Sequence, residues 1–267
     1  MRLGLIGYGT IARTLAGHLG AASGIAAVTV LVRPGREADV PASFGDGAIP
    51  VAAVTSVDAL LADRPDFVVE CAGHSAVDAF VPPLLRAGLD VVVVSIGALA
   101  DEALADRLRD AAVAGGARMI LPAGAVGGID ILAALGAAGE VQVRYTGTKP
   151  PKAWAGTPAA TRIDLDALDA PITLFEGPAR EAATAYPKNA NVAATLALAG
   201  AGFEATRVVL VADPAAPGNV HEFEAVSPVA RVTMRIENAP SGNAKTSLAT
   251  IMSVLREIRN RQGPVVI

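Results

Sequence analysis

The first half of the chain alternates short runs of β-branched residues with segments of helical periodicity. Runs that are apolar throughout, such as VVVV, are typical of strands buried on both faces. Such strands separated by helices predict a parallel sheet with helices on both sides. The predicted strands are RLGLIG, AAVTVLV, DFVVECA, DVVVVSI and ARMILPA, and the predicted helices are TIARTLAGHLG, VDALLADR, AVDAFVPPLLRAG and DEALADRLRDAAVAGG.

The pattern changes after Gly128, where IDILAALGAAG predicts a helix and the later strands alternate apolar and polar positions. Alternating strands joined by Pro/Gly turns predict a mostly antiparallel sheet with one face packed. We therefore predict two domains, residues 1–124 and residues 125–242. The predicted strands of the second domain are EVQVRYTGT, PITLFEG, RVVLVAD, VHEFEAV and ARVTMRIEN.

A last amphipathic helix is predicted over residues 243–262. Its apolar side chains fall on one stripe, as expected for a helix with one buried face. Such a helix could return to pack on the first domain. The stripe consists of Leu248, Ile251, Met252, Leu255 and Ile258.

Composition excludes several classes of protein. With 267 residues, 52% hydrophobic and 18% charged, the chain can bury a full core. A net charge of −4 gives no basic surface for nucleic acid, and no apolar run reaches the roughly 18 residues of a membrane span. Cys71 is the only cysteine, so an intramolecular disulfide is excluded. We expect a cytoplasmic protein without nucleic-acid or membrane partners.

The segment GLIGYGTIA carries a glycine motif at the first strand-to-helix turn. Gly7 permits the tight turn, Gly9 lets the backbone approach a pyrophosphate, and Ala12 allows close packing of the helix on the strand. The βαβ context supports this interpretation over a tight turn in a ligand-free domain. We predict an α/β fold with an N-terminal Rossmann dinucleotide-binding domain and a second α+β domain. The predicted cofactor contacts here are Gly7, Gly9, Ile11 and Ala12.

The end of the second predicted strand carries Arg33, with Arg36 nearby, where an acidic residue usually binds the ribose 2′-hydroxyl. An arginine there can accommodate a 2′-phosphate. We therefore predict that the cofactor is NAD or NADP and that Arg33 contacts it. The alternative is a solvated loop arginine.

Two of the three histidines are candidates for catalysis. His74 follows a strand together with Glu70 and Cys71, at the sheet edge where ligands of open α/β folds bind. His221 follows a turn and begins a strand in the second domain, from which a catalytic group would face the cofactor. Since imidazole has an ordinary pKa of about 6.5, histidine suits general base catalysis near neutrality. We favour His221.

Two further segments offer polar groups to an acidic ligand. Lys149 and Lys152 lie in a Pro/Gly-rich segment with the only tryptophan, Trp154, which could hold an acidic substrate or be an exposed turn. YPKNANVAA opens an apolar helix with Lys188, Asn189 and Asn191. Asparagine is a favoured helix cap, but its carboxamide could also orient a nicotinamide ring.

These motifs together resemble the L-aspartate dehydrogenase family. The resemblance rests on GLIGYGTIA, ECAGHSAV, SIGALAD, LPAGAVGGIDILAA, the TKPPKAW and GTPA segments, YPKNANVAATLALAG and NVHEFEA, which span almost the whole chain. It implies that Ala125 and Asn191 contact the dinucleotide and that His221 is the active-site residue. The asparagines would then cap a helix whose N-terminus points towards the ligand.

The resemblance also implies the reaction. Such an enzyme oxidises L-aspartate with NAD or NADP to iminoaspartate, which hydrolyses to oxaloacetate and ammonia or enters NAD biosynthesis. His221 would accept a proton from the amine or from the attacking water. Alternatives are a dihydrodipicolinate reductase or homoserine dehydrogenase relative and a non-enzymatic dinucleotide sensor. We expect no metal, and we expect a homodimer or larger homo-oligomer.

Overall fold

The computed structural model of the protein describes residues 1–187, 189–239 and 247–266, and only the backbone of Ala21. The chain divides into two compact domains. The first consists of Met1–Pro122 together with the C-terminal residues from Ile251 onwards, and the second is Ala123–Thr250.

The first domain contains a seven-stranded sheet in the order β3-β4-β2-β1-β5-β6-β7. All neighbouring strands are parallel except the pair β3 and β4. The predicted parallel sheet is therefore confirmed. Its strands are β1 Arg2–Ile6, β2 Ala27–Leu31, β3 Ser43–Phe44, β4 Ile49–Val54, β5 Phe67–Glu70, β6 Val91–Val93 and β7 Met119–Ile120.

Helices of the first domain follow the predicted pattern. Asp101 caps the longest of them, its carboxylate accepting from the Leu104 amide at 3.1 Å, and Gly116 ends it with a φ of 62°. The third helix contains Pro82 and Pro83, as predicted, and still runs for 13 residues. The helices are α1 Thr10–Ala16, α2 Val57–Ala62, α3 His74–Arg86 and α4 Glu102–Gly115.

The sequence analysis missed β3 and β4, because Pro50 weakens the strand pattern of IPVAAV. Proline cannot donate to a ladder and is confined to strand starts, edges and bulges. The parallel ladder between β4 and β2 begins only at Val51, opposite Val28, so no hydrogen bond from residue 50 to β2 is needed. A strand can therefore form here despite the proline.

The second domain is a five-stranded sheet with helices, in the strand order β12-β11-β8-β10-β9. Only β8 and β10 are parallel to each other, so the predicted mostly antiparallel sheet is confirmed. Its elements are α5 Ile129–Ala137, β8 Gln142–Lys149, β9 Ile172–Pro178, α6 Ala179–Ala185, α7 Asn191–Ala199, α8 Gly202–Ala205, β10 Arg207–Ala212, β11 Val220–Val226 and β12 Arg231–Glu237.

Helix α7 forms the centre of the helical layer and contacts α5, α6 and β8. Small residues allow this close packing. A Cβ added at Gly136 of α5 would lie 2.9 Å from the carbonyl oxygen of Ala199, so a side chain there would separate the two helices. Alanines on α7, including Ala193, Ala194 and Ala197, are fully buried.

The last helix, α9, spans Leu248–Asn260. Ile251, Val254, Leu255 and Ile258 are buried in the core that β1 and β2 form in the first domain. The predicted stripe was partly wrong, because Val254 is fully buried while Leu248 is 46% exposed. Residues 243–246 of the predicted helix, which include Lys245, lie outside the described residues.

Helices of the protein are short. The longest helix in the described parts of the chain, α4, has 14 residues. No helix among those parts is long and apolar enough to cross a membrane.

Candidate active site

The turn between β1 and α1 requires glycine at two positions for different reasons. Gly7 has a φ of +88°, and a Cβ there would lie 2.7 Å from the Cβ of Ala72. Its amide donates to the carbonyl of Leu31 at 2.8 Å, which closes the turn on β2. Gly9 instead faces open space, with no heavy atom within 4 Å of an added Cβ. A ligand can therefore approach the backbone at Gly9.

A cavity of about 580 Å³ lies beside this turn, within the range of cofactor-sized pockets. Gly7, Gly9 and Arg33 all line it, so three of the predicted cofactor contacts meet at one site. Ile11 and Ala12 do not line the cavity. Both pack against the core of the first domain, and Ala12 is fully buried. They hold α1 against the sheet instead.

The cavity also contains an acidic residue that the sequence analysis missed. Asp39 lines it and forms an ion pair with Arg36. Arg33 is exposed, and none of the described residues forms a hydrogen bond or ion pair with its side chain. Asp39 lies 30 positions beyond Gly9, further than the usual spacing of about 20 residues, so sequence spacing gave no signal for it.

Glu70 has a structural role at the end of β5. Its buried carboxylate accepts hydrogen bonds from the amides of Ala72, Gly73 and Ser95 and from the Ser95 hydroxyl, at 2.7–3.0 Å. Burial raises the pKa of Glu70, and these hydrogen bonds oppose the rise. The carboxylate therefore holds the loop after β5 and fixes Ala72 against the glycine turn.

Two further residues that follow β5 differ in their relation to the cavity, because Cys71 lines it and His74 does not. Cys71 is buried and directs its thiol to the carbonyls of Ile6 and Gly7, and burial raises its pKa. A thiol of this kind stays protonated and unreactive. His74 is half-buried at the first position of α3 and does not line the cavity.

A second cluster of polar side chains lies in the second domain, on the buried face of β8 and β11. Tyr145, Gly147 and Lys149 share that face of β8. His221 of β11 pairs with Gly147 in the antiparallel ladder. The phenol oxygen of Tyr145 lies 2.8 Å from Nδ1 of His221. The period of two along a strand thus brings the predicted catalytic histidine beside one of the predicted lysines.

His221 is only 2% exposed, and its Nε2 has no hydrogen-bond partner among the described residues. Burial, and secondly the charge of Lys149, lower the pKa of His221 to about 3. The ring is therefore neutral at physiological pH. The ordinary imidazole pKa used in the sequence analysis does not apply at this buried position.

Lys149 is a buried amine without a counterion. It is 4% exposed, and burial lowers its pKa to about 8. Its Nζ donates to the carbonyl of Asn189 at 3.3 Å and lies 5.6 Å from the ring centroid of Trp154. Within the described ranges no carboxylate forms an ion pair with it. A buried charge is normally paired, so this amine is suited to bind an anionic ligand.

Asn189 does not cap a helix, so that prediction was wrong. The N-cap of α7 is Ala190, which makes no side-chain cap hydrogen bond. The Asn189 amide instead donates to the carbonyl of Ala153 at 3.0 Å, which ties the segment before α7 to the loop after β8. Asn191 is the first residue of α7, and Lys188 lies outside the described residues.

Lys152 and Ala125 take different positions. Lys152 is exposed in the 3₁₀ turn Pro151–Trp154 and does not join the cluster. Ala125 is buried, and its carbonyl accepts from the Asn238 amide at 3.2 Å, while the Asn238 side-chain oxygen accepts from the Ser247 hydroxyl at 2.6 Å. Asn238 and Ser247 thus support the backbone at Ala125, the predicted dinucleotide contact. Neither residue was predicted from the sequence.

Among the described residues, no three His, Cys, Asp or Glu side chains are grouped so as to hold a metal ion.

A parallel sheet with a glycine turn that opens onto a cavity defines a dinucleotide-binding domain. Residues 7–122 match the family model described as the NAD-binding domain of homoserine dehydrogenase. The chain is thus an oxidoreductase of the class that uses NAD or NADP. The open backbone at Gly9 and the cationic cavity fit such a cofactor. Residues 130–261 match the model described as the C-terminal domain of aspartate dehydrogenase.

Known proteins resemble the chain over its whole length. It is 46% identical to an L-aspartate dehydrogenase of Ruegeria pomeroyi, over 99% of this chain and 94% of that protein. It is 51% identical to one of Ralstonia nicotianae, over 76% of each. The crystal structure of aspartate dehydrogenase from Thermotoga maritima has a TM-score of 0.78 at 29% identity, covering 100% of this chain and 99% of that one. The chain belongs to the aspartate dehydrogenase family.

The unpaired charge of Lys149 leads to a prediction about stability. Because the folded-state pKa of about 8 lies below the ordinary 10.5, folding disfavours the protonated lysine. This penalty is complete below pH 8 and disappears as the pH rises towards 10.5. Lys149→Met should therefore raise the free energy of unfolding at pH 7 by roughly 3 kcal/mol, at about 1.4 kcal/mol for each pKa unit.

Denaturant unfolding at several pH values measures this effect. The difference between the variant and the wild type should shrink as the pH rises from 8 to 10.5. Lys152→Met is the matched control, and we expect a change within about 0.5 kcal/mol because that lysine is exposed. A Lys149→Met variant that is less stable than the wild type at pH 7 would contradict the prediction.

Arg33 leads to a prediction about cofactor choice. Arg33→Asp should weaken NADP binding by roughly 10- to 100-fold, because it removes a charge-assisted hydrogen bond and introduces a like charge. NAD, which lacks the 2′-phosphate, should lose much less. Titration with each reduced cofactor measures both dissociation constants. Arg109→Asp, on the exposed surface of α4, is the control; equal losses of NAD and NADP in Arg33→Asp would show that Arg33 does not contact the 2′ position.

Proposed function

We propose that the protein oxidises L-aspartate with NAD or NADP to iminoaspartate, which hydrolyses to oxaloacetate and ammonia or enters NAD biosynthesis. The observation that carries the proposal is the buried cluster of Lys149 and His221 in the second domain. Two relatives that match 97% or more of the chain are L-aspartate dehydrogenases, which supports the choice of substrate. We also propose that the enzyme is a cytoplasmic homodimer.

Lys149 provides the positive charge for one substrate carboxylate. Its amine is buried beside the carbonyl of Asn189 and the indole of Trp154. None of the described residues forms an ion pair with it, so a substrate carboxylate would supply a counterion. At a buried position, such a pair is much stronger than on a surface. A dicarboxylate such as aspartate is therefore favoured over neutral amino acids.

His221 contacts the reacting part of the substrate in this proposal. Its neutral ring offers Nε2 to a ligand atom. None of the described residues forms a hydrogen bond with this nitrogen. A bound nicotinamide would supply the hydride acceptor for oxidation at the aspartate Cα. Gly7, Gly9 and Arg33 in the first domain, and Ala125 and Asn191 in the second, are the residues that we propose to hold the dinucleotide.

The activity itself is the first test of the proposal. Purified protein should reduce NAD or NADP with L-aspartate, because the buried Lys149 amine suits a substrate carboxylate and because relatives that match almost the whole chain are L-aspartate dehydrogenases. Absorbance of the reduced cofactor measures the rate. L-malate and L-homoserine are the comparison substrates, and robust oxidation of either without aspartate turnover would sink the assignment in favour of another two-domain dehydrogenase.

The second test compares the two candidate histidines. His221→Ala should lower kcat by roughly two to four orders of magnitude, the usual effect of losing a group that acts on the transition state. Cofactor affinity should change little, and His74→Ala should mainly weaken binding. Because the His221 pKa is about 3 rather than 6.5, the wild-type rate should show no acidic limb near pH 6.5. If His74→Ala abolished turnover while His221→Ala kept it, the roles would be reversed.

A further inference from the structure

A single hydrogen bond within the cluster holds His221 in place. It joins the phenol oxygen of Tyr145 and Nδ1 of His221 at 2.8 Å, and both residues are buried, at 0% and 2% exposure. The two rings lie 6.0 Å apart with an interplanar angle of 23°. Neither Oη of Tyr145 nor Nε2 of His221 has another hydrogen-bond partner among residues that the structure describes.

Gly147 makes this contact sterically feasible. It lies directly opposite His221 in the ladder between β8 and β11. A Cβ at this position would be 2.5 Å from the Tyr145 hydroxyl and 3.0 Å from the ring carbon that carries it. The phenol therefore occupies the space of a missing side chain and reaches across to the neighbouring strand. The glycine is needed here for space, since its φ is not positive.

The direction of the hydrogen bond follows from the chemistry of its two partners. Both are neutral, because burial raises the pKa of Tyr145 and lowers that of His221 to about 3. A phenol is a stronger donor than a neutral imidazole, and an imidazole nitrogen is a stronger acceptor than a phenol oxygen. The hydroxyl of Tyr145 therefore donates to Nδ1. A neutral ring carries one hydrogen, which is then on Nε2.

We propose that Tyr145 is a positioning residue that fixes His221 in its Nε2–H tautomer, so that His221 donates a hydrogen bond to a substrate oxygen and does not act as a general base. This role rests on the proposed function, which supplies an oxygen-rich dicarboxylate substrate. It replaces the proton acceptor expected from the sequence, because a protonated Nε2 has no lone pair in the plane of the ring to accept a proton.

The proposal gives the cluster a consistent chemistry. The Lys149 ammonium and the His221 Nε2–H are both donors. The Tyr145 hydroxyl and His221 Nδ1 satisfy one another. Such a site favours carboxylate oxygens and the negative oxygen that develops when a carbonyl group is attacked. A fixed donor aimed at developing charge is an effective form of transition-state stabilisation. An amine, which requires an acceptor, is not bound by His221.

The tautomer can be read directly by ¹⁵N NMR of protein labelled at its three histidines, with His221→Asn assigning the signals. The wild type, without substrate, should show a protonated Nε2 and an unprotonated Nδ1 at neutral pH. Tyr145→Phe should lose this preference and give a mixture of both neutral forms. Because no turnover is needed, the measurement decides the tautomer even if the aspartate assay fails.

Kinetics provide the second measurement. Tyr145→Phe should lower kcat by about 10- to 100-fold, the equivalent of one buried hydrogen bond, with cofactor affinity unchanged. Gly147→Ala keeps the phenol but crowds its hydroxyl, so it should reproduce both the tautomer change and the rate loss. Tyr186→Phe removes a hydroxyl that donates to the carbonyl of Leu174 and should keep the wild-type tautomer and rate.

Two results would overturn the proposal. The first is a wild-type ring with its hydrogen on Nδ1, whatever the activity. The second is a Tyr145→Phe variant that keeps the Nε2–H tautomer, since any loss of rate would then be only structural. Thermal unfolding of each variant, followed by circular dichroism, verifies that the fold is intact in these comparisons.

Discussion

A lysine amine held out of water, with no ion-pair partner among the described residues, is the constraint around which the second domain is organised. The cost of removing such a charge from water is large unless it is paired, yet the contacts of the Lys149 amine that the structure describes are with a carbonyl and an aromatic ring. The surroundings maintain the geometry instead: the Trp154 indole donates to the carbonyl of Lys149 at 3.4 Å, and Asn189 is bonded to the loop that follows the strand. The domain thus keeps a buried charge that works against its own stability, as is common at functional sites.

Both candidate sites also depend on small residues that allow neighbouring groups to approach closely. Gly7 lets the glycine turn contact Ala72, and Gly147 lets a phenol lie across a strand. In both places a single added methyl would lie at a distance that atoms do not tolerate. The carboxylate of Glu70 then fixes the Ala72 side of the first contact with backbone hydrogen bonds. Packing at van der Waals distance therefore sets the position of both candidate sites, and the polar groups act within that frame.

The sequence predicted most of the fold because its signals are local. Apolar runs and turn residues specify strands and helices within a few neighbours, and the alternation of βα units specifies a parallel sheet. It failed at β4, where Pro50 hides a strand whose ladder with β2 begins only beyond the proline. It also failed at Asn189, since whether an asparagine caps a helix depends on which acceptor its amide meets. That acceptor, the carbonyl of Ala153, lies 36 residues away along the chain.

The sequence alone determined the class of the protein. The signals were a glycine turn in a βαβ series, a second sheet and the residue types of a dehydrogenase. The sequence named His221 as the catalytic candidate and Lys149 as a candidate substrate contact, but it assumed the ordinary imidazole pKa for His221. Only the tertiary structure decided their chemistry, because pKa values and hydrogen-bond partners depend on burial and on neighbours from other strands. Burial lowered both pKa values, and the ladder between β8 and β11 brought Tyr145 to His221. Residues 76 positions apart in sequence meet there, so no local pattern could reveal the contact.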